Sequence, residues 1–88
     1  MAKKYLWEVE EIGEQEEKIL HSISLECCNL TGKAIITIDG DKYDISVRPL
    51  KLRGTSQVFR LGSLAAVIEF PKKGSPRVTV GTEVIPAK

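Results

Sequence analysis

The chain has 88 residues, 42% hydrophobic and 28% charged, with a net charge of +1; that composition fits one ordinary folded domain without the charge excess that draws a protein to nucleic acid or an acidic membrane. No apolar run approaches the roughly 20 residues that span a bilayer, and after Lys3 and Lys4 the residues Glu8, Glu10 and Glu11 arrive too soon for a secretory leader. A disordered tail, a membrane protein and secretion by that route are not expected, and a cytoplasmic protein is.

Charge is uneven along the chain. Residues 1–32 carry three Lys against seven Glu, whereas residues 33–88 carry ten Lys or Arg against five acids. Two solvated faces account for this, and association between opposite-sign patches is the sharper alternative.

In chain order, Tyr5, Trp7 and Val9 alternate with Leu6, Glu8 and Glu10 and predict a first strand with an aromatic inner face. The acidic stretch Glu10 to Glu17, with Gly13 inside it, predicts a turn or exposed hairpin tip. From Lys18 to Cys27, Ile19, His21, Ile23, Leu25 and Cys27 share one face of a second strand, where His21 is expected as a hydrogen-bonded structural histidine rather than a catalytic one. Cys27 and Cys28 are adjacent and point to opposite faces, so no bridge between them is expected. With His21 as the only other soft ligand, a zinc site within the chain falls short of its four ligands.

Gly32 to Val47 reads as a β-hairpin about Asp39-Gly40, residues that tolerate φ > 0 in a tight primed turn. The two-residue loop sets Ile36 opposite Tyr43 and Ala34 opposite Ile45, keeping the apolar residues of both strands on one face. Arg48 to Ser56 reads as a crossover between sheets or an irregular edge, since Pro49 cannot donate to a ladder. Val58 to Leu61 predicts a short strand, Gly62-Ser63 a turn, and Leu64 to Phe70 the next strand. Arg77 to Val80 and Glu83 to Pro86 predict a last hairpin about Gly81-Thr82, with Val78 opposite Ile85. The pattern is all-β: about eight short strands in a single antiparallel β-sandwich domain over residues 1–88.

Several of these residues carry a family resemblance. Trp7-Glu8-Val9, His21, Ile23, Leu25 and Glu26, then Thr31-Gly32-Lys33, Ile35-Ile36 and Ile38-Asp39-Gly40 resemble the amino-terminal domain of the Fas apoptotic inhibitory molecule family. Leu50-Lys51-Leu52 with Gly54, Phe59-Arg60-Leu61-Gly62 and the closing hairpin are similar in kind and spacing. The animal members have two tandem domains, so the chain looks like a single-domain relative. The resemblance implies a non-enzymatic antiparallel β-sandwich, in a family associated with restraining cell death and protecting other proteins from aggregation. It carries over no catalytic residue; His21, Lys33 and Asp39-Gly40 fall on its motif positions.

The residues themselves offer no nucleophile paired with a base, no metal cluster and no phosphate loop, so no enzyme activity, metal or cofactor is expected. Leu6, Leu20, Ile35 and Val67 are apolar where alternation turns them outward, and they form the candidate interaction surface for a protein partner or a second copy in a homodimer. The alternative is nucleic-acid binding through Arg48, Lys51, Arg53, Arg60, Lys72, Lys73 and Arg77; near-neutral charge and few aromatics argue against it.

Overall fold

Alternating apolar residues punctuated by turn residues become eight strands in the computed structural model, which describes residues 2–88. They are β1 (Lys3–Ile12), β2 (Lys18–Cys28), β3 (Lys33–Ile38), β4 (Asp41–Asp44), β5 (Thr55–Leu61), β6 (Leu64–Phe70), β7 (Arg77–Val80) and β8 (Glu83–Ile85). Each half of the chain folds as an antiparallel meander, so the order is β1-β2-β3-β4 in the first sheet and β5-β6-β7-β8 in the second. No described residue is in a helix, and none could cross a membrane as one.

Three two-residue turns set the register. Asp39 and Gly40 have φ of 50° and 91°, the paired positive values of a type I′ turn, and they place Ile36 opposite Tyr43 as expected. Gly62-Ser63 closes Leu61 on Leu64, and Gly81-Thr82 leaves Val78 opposite Ile85.

The two sheets share one core. Trp7, Val9, Ile23, Leu25, Cys27, Ala34 and Ile36 enter from the first, and Leu61, Ala66, Ile68, Phe70 and Val78 from the second. Burying each large side chain contributes about 1.5–3 kcal/mol, so this layer dominates the stability. Neither cysteine is in a disulfide.

Four expectations need correction. The acidic tip begins only at Gly13, because β1 continues to Ile12 and carries Glu11 into the interior. β4 stops at Asp44, where the Ser46 hydroxyl takes over the Ala34 N–H at 2.9 Å; the backbone amides of Ile45 and Val47 still bond to Ala34 and Gly32. Tyr43, expected on the core face, is 51% exposed because β4 is an edge. β5 starts three residues before Val58, at Thr55, and within the crossover Leu52 is buried as part of the core.

Candidate interaction surface

Strand order decides which outward residues can act together. Leu6, Leu20 and Ile35 lie on the first sheet and Val67 on the second, so the four do not form one surface. On the first sheet they are also separated from one another. Leu6 sits across from Ser24 and between Lys4 and Glu8, Leu20 faces Glu10, and Ile35 faces Glu26. Leu6 and Ile35 are single apolar side chains of a kind normal on a protein surface, and Leu20 has only the exposed Ile12 on its diagonal.

Val67 has different company. Register aligns Val58, Val67, Thr79 and Val84 in one cross-strand row over the outer face of the second sheet. Val58 and Val84, at its two ends, are 76% and 56% exposed. Polar residues border the row on one side, where Ser56, Glu69 and Arg77 align and the last two form an ion pair at 3.2 Å.

The row ends at the margin where β5 faces β4. Between these edge strands lies a groove of about 360 Å³, lined by Ile36, Ile38, Tyr43 and Ile45 on one side and by Phe59 and Ile68 on the other. Gln57, whose side chain points inward, is nonetheless exposed, as an unclosed margin requires. The opposite margin is occupied: β1 neighbours β8, and the amide of Lys88 donates to the carbonyl of Leu6 at 2.8 Å.

A buried polar cluster fixes one end of the open margin. Glu11 and His21 are diagonal neighbours on the inner face of β1 and β2, exposed only 7% and 6%. His21 donates from Nδ1 to Asp39 Oδ2 at 2.6 Å and from Nε2 to Glu11 Oε1 at 2.9 Å. Two carboxylate acceptors require a proton on both ring nitrogens, so the ring is an imidazolium and its pKa is raised, chiefly by Asp39 and then by Glu11. Asp39 also accepts the amide of Ser22 at 2.8 Å. From the second sheet, Ser63 donates its amide to Glu11 Oε2 at 3.1 Å and its hydroxyl to the same oxygen. Those bonds, with His21, hold the Glu11 carboxyl below its ordinary pKa, and Asp39 is lowered likewise by His21. Gly62 lets the sheets close here, since a Cβ at that position would collide with the Glu11 carboxylate.

The chemistry of the cluster is that of a clasp. His21 has both nitrogens committed to carboxylates, so neither remains to take a proton from Ser63, whose hydroxyl serves Glu11 instead. His21 is hydrogen-bonded, as expected from its place in β2. Its partner Glu11 was missed, because it fell in the stretch expected as an acidic tip, although it continues the parity of Trp7 and Val9.

At the far end a pocket of about 420 Å³ is bounded by Lys3, Tyr5, Cys28, Arg53 and Phe70 among others. Cys28 heads the turn that leaves β2, and hydrogen bonds from Thr31 and Leu30 lower its thiol pKa to about 7. No neighbouring basic side chain in the sequence foreshadowed this, since the donors belong to the turn itself. Burial pushes the Cys27 thiol the other way. Of the basic residues, the crossover carries Arg48, Lys51 and Arg53 and the adjoining β6–β7 turn carries Lys72 and Lys73, whereas Arg60 lies near the opposite end of β5 and Arg77 is paired with Glu69. Among the described residues no group of three or more His, Cys, Asp or Glu is arranged to hold a metal ion. Set against family models, characterised proteins and solved structures, the chain matches none of them.

Proposed function

We propose that the chain is a non-enzymatic, cytoplasmic protein-interaction module that takes an extended segment of a protein partner along β5, over the groove between β4 and β5. One observation carries the reading: β5 is a seven-residue edge strand with an apolar groove on its inner side and the valine row on its outer side. An added strand would gain main-chain hydrogen bonds from the edge and side-chain contacts from both faces, the physical basis of recognition by strand addition.

The resemblance to the Fas apoptotic inhibitory molecule family fits this reading. Its motif residues His21 and Asp39 are in direct contact, which supplies a physical reason for their pairing in a pattern. Shielding an aggregation-prone segment is then the same act as binding it, because such segments are themselves unpaired strands. The test is suppression of aggregation of a chemically unfolded client, followed by light scattering. Val58→Lys and Tyr43→Lys are expected to lose suppression, while Leu6→Lys on the first sheet retains it. Equal suppression by all three would overturn the reading.

Nucleic-acid binding is a second reading, favoured by Arg53 and Lys72 meeting at the crossover end, where the Arg53 guanidinium donates to the Lys72 carbonyl at 3.1 Å. A salt-sensitive mobility shift with single-stranded oligonucleotide, lost in Lys72→Glu, would support it; no shift at low salt would remove it.

A further inference from the structure

The direction of the unpaired backbone groups on β5 follows from its neighbours. The amide of Gly81 donates to the carbonyl of Ala65 at 3.3 Å, so the odd-numbered residues of β6 bond toward β7 and the even-numbered ones toward β5. Since β5 and β6 pair Phe59 with Ala66 and Gln57 with Ile68, the odd residues of β5 bond inward. Ser56, Val58 and Arg60 therefore aim their N–H and C=O groups outward, where no described strand meets them.

The other edges are protected against pairing. β1 is capped by Lys88, β4 has four residues of which Asp41, Lys42 and Asp44 are charged, and β8 has three residues followed by Pro86. β5 has seven residues in unbroken register, no proline, no lysine and one charge, Arg60. Short length, charge and covering segments are the usual defences of an edge, and of these β5 has only the single charge of Arg60.

We propose that β5 is the edge through which two copies of this chain pair, antiparallel about a two-fold axis at Val58, joining their second sheets into one continuous sheet. The proposal rests on the reading of this margin as an interaction edge and names its resident occupant. Centring on Val58 overlaps all of β5 and sets hydrogen-bonding residues against hydrogen-bonding residues: Val58 opposite the partner's Val58, and Ser56 opposite the partner's Arg60. No like charges face each other in that register, and a net charge of +1 leaves little repulsion between copies.

Continuity of the outer face selects a second copy over an arbitrary segment. The row Val58, Val67, Thr79 and Val84 would run unbroken through the axis into the same row of the partner. Val58, at 76% exposure, would move from the end of that row to its centre. On the inner face Gln57 would stand opposite the partner's Phe59, so the two grooves would meet under the joined sheet.

Sedimentation equilibrium on the wild-type chain, with Val58→Lys and Val58→Glu alone and mixed, tests the register directly. The wild type is expected at twice the 9.7 kDa chain mass. Each variant alone sets like charges face to face at the axis and should raise the dimer dissociation constant by roughly a hundredfold or more. Mixing the two should restore dimers, and circular dichroism should stay β-like throughout because Val58 is an exposed side chain. A strictly monomeric wild type at high micromolar concentration overturns the proposal, as does a dimer that either variant leaves intact. If the wild type is monomeric yet Val58→Lys loses client suppression, the interaction edge stands and the homodimer falls. If the dimer behaves as described but Val58→Lys suppresses aggregation as well as wild type, the homodimer stands and the client reading falls.

Discussion

The two long margins of the sandwich start from the same problem, an edge strand with a row of unpaired backbone groups, and meet it in opposite ways. At the β1 margin the last residue of the chain donates its amide to Leu6, and the Lys88 ammonium reaches Glu8 at 2.7 Å. At the β4–β5 margin nothing described crosses between the edges except at the two ends: the crossover ties one, and the Glu11–His21–Asp39–Ser63 clasp ties the other. A margin pinned at its ends and open along its length keeps a fixed spacing while its edge remains available for pairing. The proposed function is therefore read from what each margin leaves undone.

Breaking the clasp tests that contrast most severely. His21→Ala leaves Glu11 buried without its cation, and losing one partner of a buried ion pair costs about 3–5 kcal/mol. Urea denaturation should register that loss, and hydrogen exchange should quicken in β4 and β5 more than in β1. Protection falling evenly across both margins would mean that the clasp does not hold the open one.

The same cluster sets a pH dependence with a definite sign. His21 is more basic in the folded chain, so its contribution is complete below about pH 6.5 and is lost as pH rises through the raised folded value. Glu11 and Asp39 are more acidic when folded, so theirs is complete above about pH 4.5 and is lost as pH falls through the lowered values. Thermal melts should peak at mildly acidic pH, and His21→Ala should flatten the alkaline limb. A wild-type melting temperature still climbing from pH 6.5 to 8.5 would contradict the imidazolium.

How much of this was legible in the sequence varied with the range of the interaction. Turn residues and period-two alternation act over a few positions, so Asp39-Gly40, Gly62-Ser63 and Gly81-Thr82 could be read as turns, the first and last with their registers. Alternation also says which way Val67 points, but not which sheet it joins or whether Leu6 lies beside it. Those depend on strand order, which is decided by long-range packing. The Ser63–Glu11 contact spans 52 positions, and nothing local at either residue announces it. Glu11 could be read as inward from the parity of Trp7 and Val9; the acidity of its surroundings outweighed that parity.

The open margin can next be divided into floor and rim. Ile36 is 3% exposed and lies beneath the groove, so Ile36→Ala should cost about 2–5 kcal/mol through the cavity it leaves. Tyr43, at the mouth, should cost less than about 1 kcal/mol as Tyr43→Ala, since an exposed side chain loses little on truncation. Thr37→Ala, on the outer face, should be similarly mild. Chemical denaturation of the three variants reads the difference; a large loss for Tyr43→Ala would mean that the margin is closed and packed.

The smallest effect is expected at the covered margin. Lys88→Pro removes the amide that caps Leu6 and, with the ammonium, the exposed pair to Glu8. One backbone hydrogen bond is worth about 0.5–1.5 kcal/mol, and an exposed ion pair about 0–1 kcal/mol, so the total loss should stay near 1 kcal/mol. The change in behaviour should exceed the change in stability. Uncapped, β1 becomes a ten-residue edge, longer than β5 and carrying the outward Leu6, and should begin to recruit strands of its own. Lys88→Pro is therefore expected to form species larger than a dimer at concentrations where the wild type does not, by pairing through both margins. Adding Val58→Lys to Lys88→Pro should cut those species back to pairs joined at β1 alone. If Lys88→Pro leaves the mass distribution unchanged, the capping contact is not what distinguishes the two margins, and the contrast must rest on the charged residues Lys4, Glu8 and Glu10 along β1 instead.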